Sequence, residues 1–168
     1  MAHSTKKLGM MFTLSGWVLG FLLLTFGFSR ILDHQLNPNQ SLVSSDSGEF
    51  RQIVLTRNKH GHYVFDGEIN NQAVTLLVDT GATITSIPAH LRDQLQLEIG
   101  AAFPVSTANG TTIAYRTRLK ELKMGNIVLK DVKASLNPKL PDILLGMNVL
   151  KHLELIQRGD ELIIRQYY

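Results

Sequence analysis

The stretch Val74-Thr75-Leu76-Leu77-Val78-Asp79-Thr80-Gly81-Ala82-Thr83-Ile84-Thr85-Ser86-Ile87-Pro88 decides how this chain folds. It begins as an apolar run that suits a packed strand. A carboxylate follows at once, and a carboxylate there is costly unless it is hydrogen-bonded or has a task. Thr80 and Gly81 supply a small hydroxyl residue and a residue without a side chain, the parts that hold a carboxylate in a tight turn. Residues 84–87 are short and β-branched, and Pro88 suits the first turn of a helix over residues 88–95, ended before Gly100. Taken alone, the tripeptide also fits an ordinary Asx-type turn with no further role.

Working outward, the neighbouring segments are short, apolar and separated by turn residues. Residues 51–57 read as a strand, Asn58-Lys59-His60-Gly61 as a turn and residues 62–69 as a second strand. Asn70-Asn71 turns the chain into the strand that feeds Asp79. Downstream, residues 103–107 and 112–124 flank Asn109-Gly110, a strong short hairpin signal. Alternation runs through Ile113, Tyr115, Thr117 and Leu119, then slips to Leu122 and Met124, which predicts a bulge near Lys120 or Glu121. Gly125-Asn126 leads to a strand over 127–136. Asp142-Ile143-Leu144-Leu145-Gly146 reads as a buried strand closed by glycine, 147–152 as a short helix, and 153–157 with 162–166 as a closing hairpin. The expected fold is mostly β, a closed barrel or sandwich with one or two short helices.

Composition narrows the chemistry. The 168 residues are 18% charged and 44% hydrophobic, values of a folded domain. The net charge of +3 comes without a basic run, so no nucleic-acid partner is expected. The absence of cysteine excludes disulfides, thiolate metal sites and a cysteine nucleophile. His60, His62, His90 and His152 are scattered without metal-ligand spacing, and no metal or cofactor is expected. Arg116, Arg118, Lys120 and Lys123 cluster in a strand region and read as a solvated face.

The N-terminus differs from the rest. Leu8 to Phe28 carries no charge and, as a helix, spans roughly 30 Å, enough for a bilayer core. Its length exceeds the core of a signal peptide, and Phe26-Gly27-Phe28-Ser29 makes a poor cleavage site, so an uncleaved anchor is expected. Lys6 and Lys7 before it favour a cytoplasmic N-terminus, with the remainder across the membrane. Residues 29–50 are polar and contain Pro38 and Gly48, a linker composition, with a helical turn near Ile31 to Leu36. The division is therefore a cytoplasmic tip at 1–7, an anchor at 8–28, a linker at 29–50 and a globular domain at 51–168.

Leu77-Val78-Asp79-Thr80-Gly81-Ala82-Thr83 resembles the active-site signature of retropepsin-like aspartic proteases. Ser106-Thr107-Ala108-Asn109-Gly110-Thr111 stands where that family has its flap hairpin. Ile143-Leu144-Leu145-Gly146 resembles the apolar strand that packs behind the catalytic loop, and Asn148-Val149-Leu150 the start of the short helix after it. The resemblance covers roughly residues 52–166. With the N-terminal anchor, the chain is similar to the single-pass, membrane-anchored members of Gram-negative bacteria.

The resemblance implies an aspartic endopeptidase in the inner membrane with its protease domain in the periplasm. Asp79 is then the catalytic carboxylate. Thr80, Gly81, Ala82 and Thr83 support the loop, and Thr107, Ala108, Asn109, Gly110 and Thr111 form the flap over an extended polypeptide substrate. Ile143, Leu144, Leu145 and Gly146 back the loop. This chemistry needs two carboxylates sharing a proton. The chain holds one Asp-Thr-Gly, so the second carboxylate is expected from Asp79 of a partner in a homodimer. Asp142 has no Thr-Gly after it and reads as a loop residue. Two rivals stand beside this reading. One is a non-catalytic dimeric module that grips extended peptides on the same fold. The other is an enzyme that cuts its own 29–50 segment.

Overall fold

The computed structural model describes residues 2–107 and 110–168. They form two units, residues 1–35 and residues 36–168. The first unit is essentially one helix, α1 (Ala2–Leu36). It is longer than its uncharged stretch and continues through Arg30, Asp33 and His34, so the helical turn expected at 31–36 is part of it. At about 1.5 Å per residue, its 35 residues make a rod of about 52 Å. Residues Phe12–Leu36 are long and apolar enough to cross a membrane, and their large side chains are exposed.

The second unit contains two sheets. Strands β1 (Val43–Asp46), β2 (Phe50–Thr56), β10 (Glu154–Arg158) and β11 (Glu161–Tyr167) form an antiparallel sheet in the order β1-β2-β11-β10. The other sheet holds β3 (Val64–Ile69), β4 (Gln72–Val78), β5 (Thr85–Pro88), β6 (Ala102–Thr107), β7 (Gly110–Met124), β8 (Ile127–Asn137) and β9 (Ile143–Leu145). Its order is β3-β4-β9-β5-β8-β7-β6, and β3 also pairs with β7 through Ile69 and Leu122, which closes the sheet on itself. Phe65, Leu76, Ile87, Leu119, Leu136 and Leu145, all at 0–1% exposure, belong to the core inside it. The expected mostly β, closed-barrel architecture is the one observed.

Turn chemistry accounts for the connections. Asn70 and Asn71, at φ 51° and 64°, make the two-residue β3–β4 turn, whose positive φ at both positions matches the right-handed strand twist. Gly125 stands at φ 59° between β7 and β8. A Cβ there would lie 2.8 Å from Ile53, so this turn also needs glycine for its close approach to β2.

Three expectations change. The helix over 88–95 is a single 3₁₀ turn at Ala89–Leu91, followed by irregular turns. Eight residues nucleate a helix poorly. Leu95 and Leu97 are both buried, and Gln96 between them takes φ 53°, which leaves the helical region. The bulge near Lys120 is also absent. Leu119 pairs with Val132 and Glu121 with Lys130, so neither strand gains a residue. Asp131 at φ 54° shifts β8 at the same level, and both strands change face together. The Asn70 side-chain carbonyl accepts the N–H groups of Lys120 and Glu121 at 2.9 and 3.2 Å.

The third correction concerns residues 29–50. The folded unit starts at Leu36, not at Arg51. β1 pairs with β2, and Asn39 is 5% exposed. The Asn39 side-chain amide donates to the carbonyls of Thr56 and Val64 at 2.8 and 2.7 Å, and its oxygen accepts the Thr56 N–H at 2.7 Å. It joins β2 to β3 beyond the end of either sheet. A polar composition reads as linker when its amide groups are in fact satisfying strand ends.

Candidate active site

The Asp79 turn is built by extending a parallel ladder one residue too far. β4 pairs with β9, Leu76 opposite Ile143 through Val78 opposite Leu145. The Asp79 N–H then donates to the Leu145 carbonyl at 3.1 Å. Beyond it the chain reverses, with the Ala82 N–H on the Asp79 carbonyl at 3.2 Å. The Asp79 Oδ1 accepts the Gly81 N–H at 2.9 Å. A Cβ on Gly81 would meet that same oxygen at 3.2 Å, so glycine keeps the approach open. Asp79 and Ala82 are half-buried, while Thr80, Gly81 and Thr83 are exposed.

The far side of the loop is latched to α2 (Met147–Leu150). The Met147 N–H donates to the Ala82 carbonyl at 2.7 Å and the Asn148 N–H to the Thr83 carbonyl at 3.1 Å. Gly146 passes so close behind that a Cβ would lie 2.5 Å from the Ile84 carbonyl carbon and 2.8 Å from the Thr85 nitrogen. Its backbone is ordinary, at φ −92° and ψ 174°, so the requirement for glycine is purely steric. The structure thus brings residues 79–83 and residues 143–146 together.

Two residues of this latch escaped the sequence reading. Thr85 is fully buried, and its N–H and hydroxyl both donate to the Asn148 Oδ1, at 2.7 and 3.0 Å. The Thr85 hydroxyl also accepts the Gly146 N–H at 3.2 Å. The Asn148 amide donates to the Lys133 carbonyl at 2.7 Å, tying β5, β8 and α2 behind the turn. A signal existed for one of them. A hydroxyl in the β-branched run 84–87 needs a buried partner, although nothing local names Asn148.

The hairpin of β6 and β7 carries the remaining candidates. Ser106 pairs with Thr111 and Thr107 with Gly110. Ala108 and Asn109 lie outside the described residues. Gly110, at φ 95°, opens β7 instead of sitting at the centre of the turn. Thr111 is exposed.

A closed β-barrel whose Asp-Thr-Gly turn is backed by a Leu-Leu-Gly strand defines the retropepsin-like aspartic protease class. The family model described as gag-polyprotein putative aspartyl protease matches residues 65–152, and the chain belongs to that family. An uncharacterised protein in the cobV 5′ region of Sinorhizobium sp. is 31% identical over 145 residues, covering 83% of this chain. The chain spans 62% of that relative's length. An uncharacterised protein of Rickettsia prowazekii (strain Madrid E) is 25% identical over 165 residues, covering 93% of this chain and 71% of its own. The crystal structure of a retropepsin-like aspartic protease from Rickettsia conorii shares the fold at a TM-score of 0.59 and 22% identity, covering 75% of this chain and 94% of its own.

Proposed function

We propose that this chain is a membrane-anchored aspartic endopeptidase whose active site forms from two copies. The observation that carries the reading is the Asp79 turn itself. It holds a half-buried carboxylate by one oxygen to the Gly81 N–H and presents Thr80 and Gly81 to the outside. Half of an aspartic dyad needs that presentation, because its partner must approach from outside the chain.

In the two-fold dimer, the ionised Asp79 of one copy takes a proton from a water molecule. The water oxygen bonds to the scissile carbonyl carbon as the protonated Asp79 of the other copy gives its proton to the carbonyl oxygen. The resulting gem-diol collapses as the amide nitrogen takes a proton and the C–N bond breaks. A new carboxyl and a new amine leave, and the shared proton is restored. Thr80 braces the paired loops across the axis. The β6–β7 hairpin, residues 107–111, covers an extended substrate that pairs with it as a strand.

Residues 8–28 of the long helix serve as the anchor, with Lys6 and Lys7 on the cytoplasmic side and the barrel in the periplasm. Confinement to one membrane raises the effective concentration of the partner. The test is full-length protein in detergent incubated with a peptide library between about pH 4 and 7.5, beside Asp79→Asn. Cleavage is expected from the parent chain alone, with equal thermal stability in both. Cleavage by Asp79→Asn at the parental rate would sink the mechanism. Retained peptide binding without cleavage by either would favour a non-catalytic module.

A further inference from the structure

A concavity whose lining does not include Asp79 lies between the 96–100 segment and strands β7 and β8. Its volume is about 570 Å³, inside the range of roughly 300–1,000 Å³ typical of ligand sites. Ile84, Ile99, Leu119 and Ala134 give it an apolar lining, and Arg116, Arg118, Lys120 and Lys133 give it basic groups. The two acidic members are Glu98 and Asp131. Asp131 is already paired with Arg118. Arg116 stacks over Phe103 at 5.0 Å. Lys120 and Lys133 make no ion pair among the described residues. Lys123, read from the sequence with the same cluster, points to another face and binds Glu68 at 2.7 Å.

Two further features mark this groove as built. Ile99 is 53% exposed, a large aliphatic side chain left in water beside four cations. Thr117, also in the lining, is 8% exposed, and its buried hydroxyl has no hydrogen-bond partner among the described residues. An unsatisfied buried hydroxyl is unfavourable, and a ligand group that reaches it would supply the missing hydrogen bond. The strand pairing keeps the groove rigid. Gly100 donates to the Arg116 carbonyl at 2.7 Å, and a Cβ on Gly100 would meet that oxygen at 2.8 Å.

We propose that this groove is a binding site for an acidic, apolar stretch of polypeptide, separate from the Asp79 turn. An aliphatic side chain fills the space beside Ile99 and Ile84. A neighbouring carboxylate meets Lys120 and Lys133, the cations without an internal partner. Charge complementarity selects the occupant: a basic segment would bring cations against four others, and a neutral one would leave the lysines unanswered.

The proposal does not depend on hydrolysis, so it is tested on the full-length Asp79→Asn chain in detergent, where no peptide is consumed. The probe is fluorescein-labelled Leu-Glu-Leu-Glu-Leu-Glu, followed by anisotropy, beside the same peptide with Gln or Lys in place of Glu. The Glu peptide is expected to bind at least tenfold more tightly than the Gln peptide, and the Lys peptide not to bind. Lys120→Glu with Lys133→Glu should abolish the preference. Thr117→Val, close in shape, should weaken binding severalfold without lowering the melting temperature, which separates recognition from folding. Equal affinity for the Glu and Gln peptides, or binding that survives both sets of substitutions, overturns the site.

Discussion

Gly146 and Asn39 make the sharpest residue-scale claims. Alanine at 146 would drive a methyl group into the Ile84 carbonyl at 2.5 Å, where the obstacle is backbone and cannot rotate away. Gly146→Ala is expected to cost about 3 kcal/mol or more by overpacking, read as a drop in denaturant midpoint. Asn39→Ala leaves the Thr56 N–H and the Thr56 and Val64 carbonyls without their partner. A loss of about 3 kcal/mol is expected, with Asn39→Asp recovering only the bond to the Thr56 N–H. A third claim concerns pH. The Tyr168 hydroxyl on Asp46, with the Gly48 N–H and Arg51, holds the Asp46 carboxyl below the ordinary carboxylate range. Its folded value lies under its unfolded one, so its contribution is full above about pH 4 and fades as pH falls through the folded value. The melting-temperature gap between the parent and Asp46→Asn should therefore be present at pH 7 and close toward pH 2. A gap that stays constant would remove Asp46 from the account. The Asp79-Thr80-Gly81 turn and Gly146 were legible in the sequence because each is a local anomaly: a carboxylate or a glycine at the end of an apolar strand. The Thr85–Asn148 bond was not, since its partners are 63 residues apart and each looks ordinary alone.

Elements were legible where their chemistry is local. Asn70-Asn71 and Gly125 announce hairpins, because positive φ at a two-residue turn restricts the residue type. The strands on either side followed from alternation. The 88–95 segment misled because Pro88 and the spacing of Leu91 and Leu95 imitate a helix start, while the burial of Leu97 demands an extended chain one residue later. The β7 slip misled differently. A change of face looks the same from one strand whether its partner gains no residue or shifts with it. Only the pairing of Leu119 with Val132 and Glu121 with Lys130 separates the two. That level depends on Asn70, whose side chain takes two β7 N–H groups. Asn70→Gly should keep the positive φ but lose both bonds. Hydrogen exchange at Lys120 and Glu121 is then expected to rise at least tenfold, while amides of β9 stay protected.

At the scale of the whole molecule, the proposal of a shared active site makes a quantitative claim about mixtures. If equal amounts of parent and Asp79→Asn chains exchange freely, about a quarter of the dimers carry two carboxylates, and activity should fall to about that fraction. A fall only to one half would mean that each chain works alone. The N-terminal helix itself was readable from composition, as a long uncharged apolar run.

The seam at Asn39 reaches further than stability. A bond cut anywhere from Asn39 to Asp46 would sever the amide staple from its strand ends or strip β1 from its sheet. Release of an undamaged barrel therefore confines any self-inflicted cut to positions upstream of Asn37. Residues 29–36 are helical there, whereas the substrate mode proposed above is an extended strand. The chain's own stem is thus shielded twice, by a conformation that must first unwind and by a knot of hydrogen bonds just beyond it. On the proposed reading, this arrangement guards the chain against shedding itself.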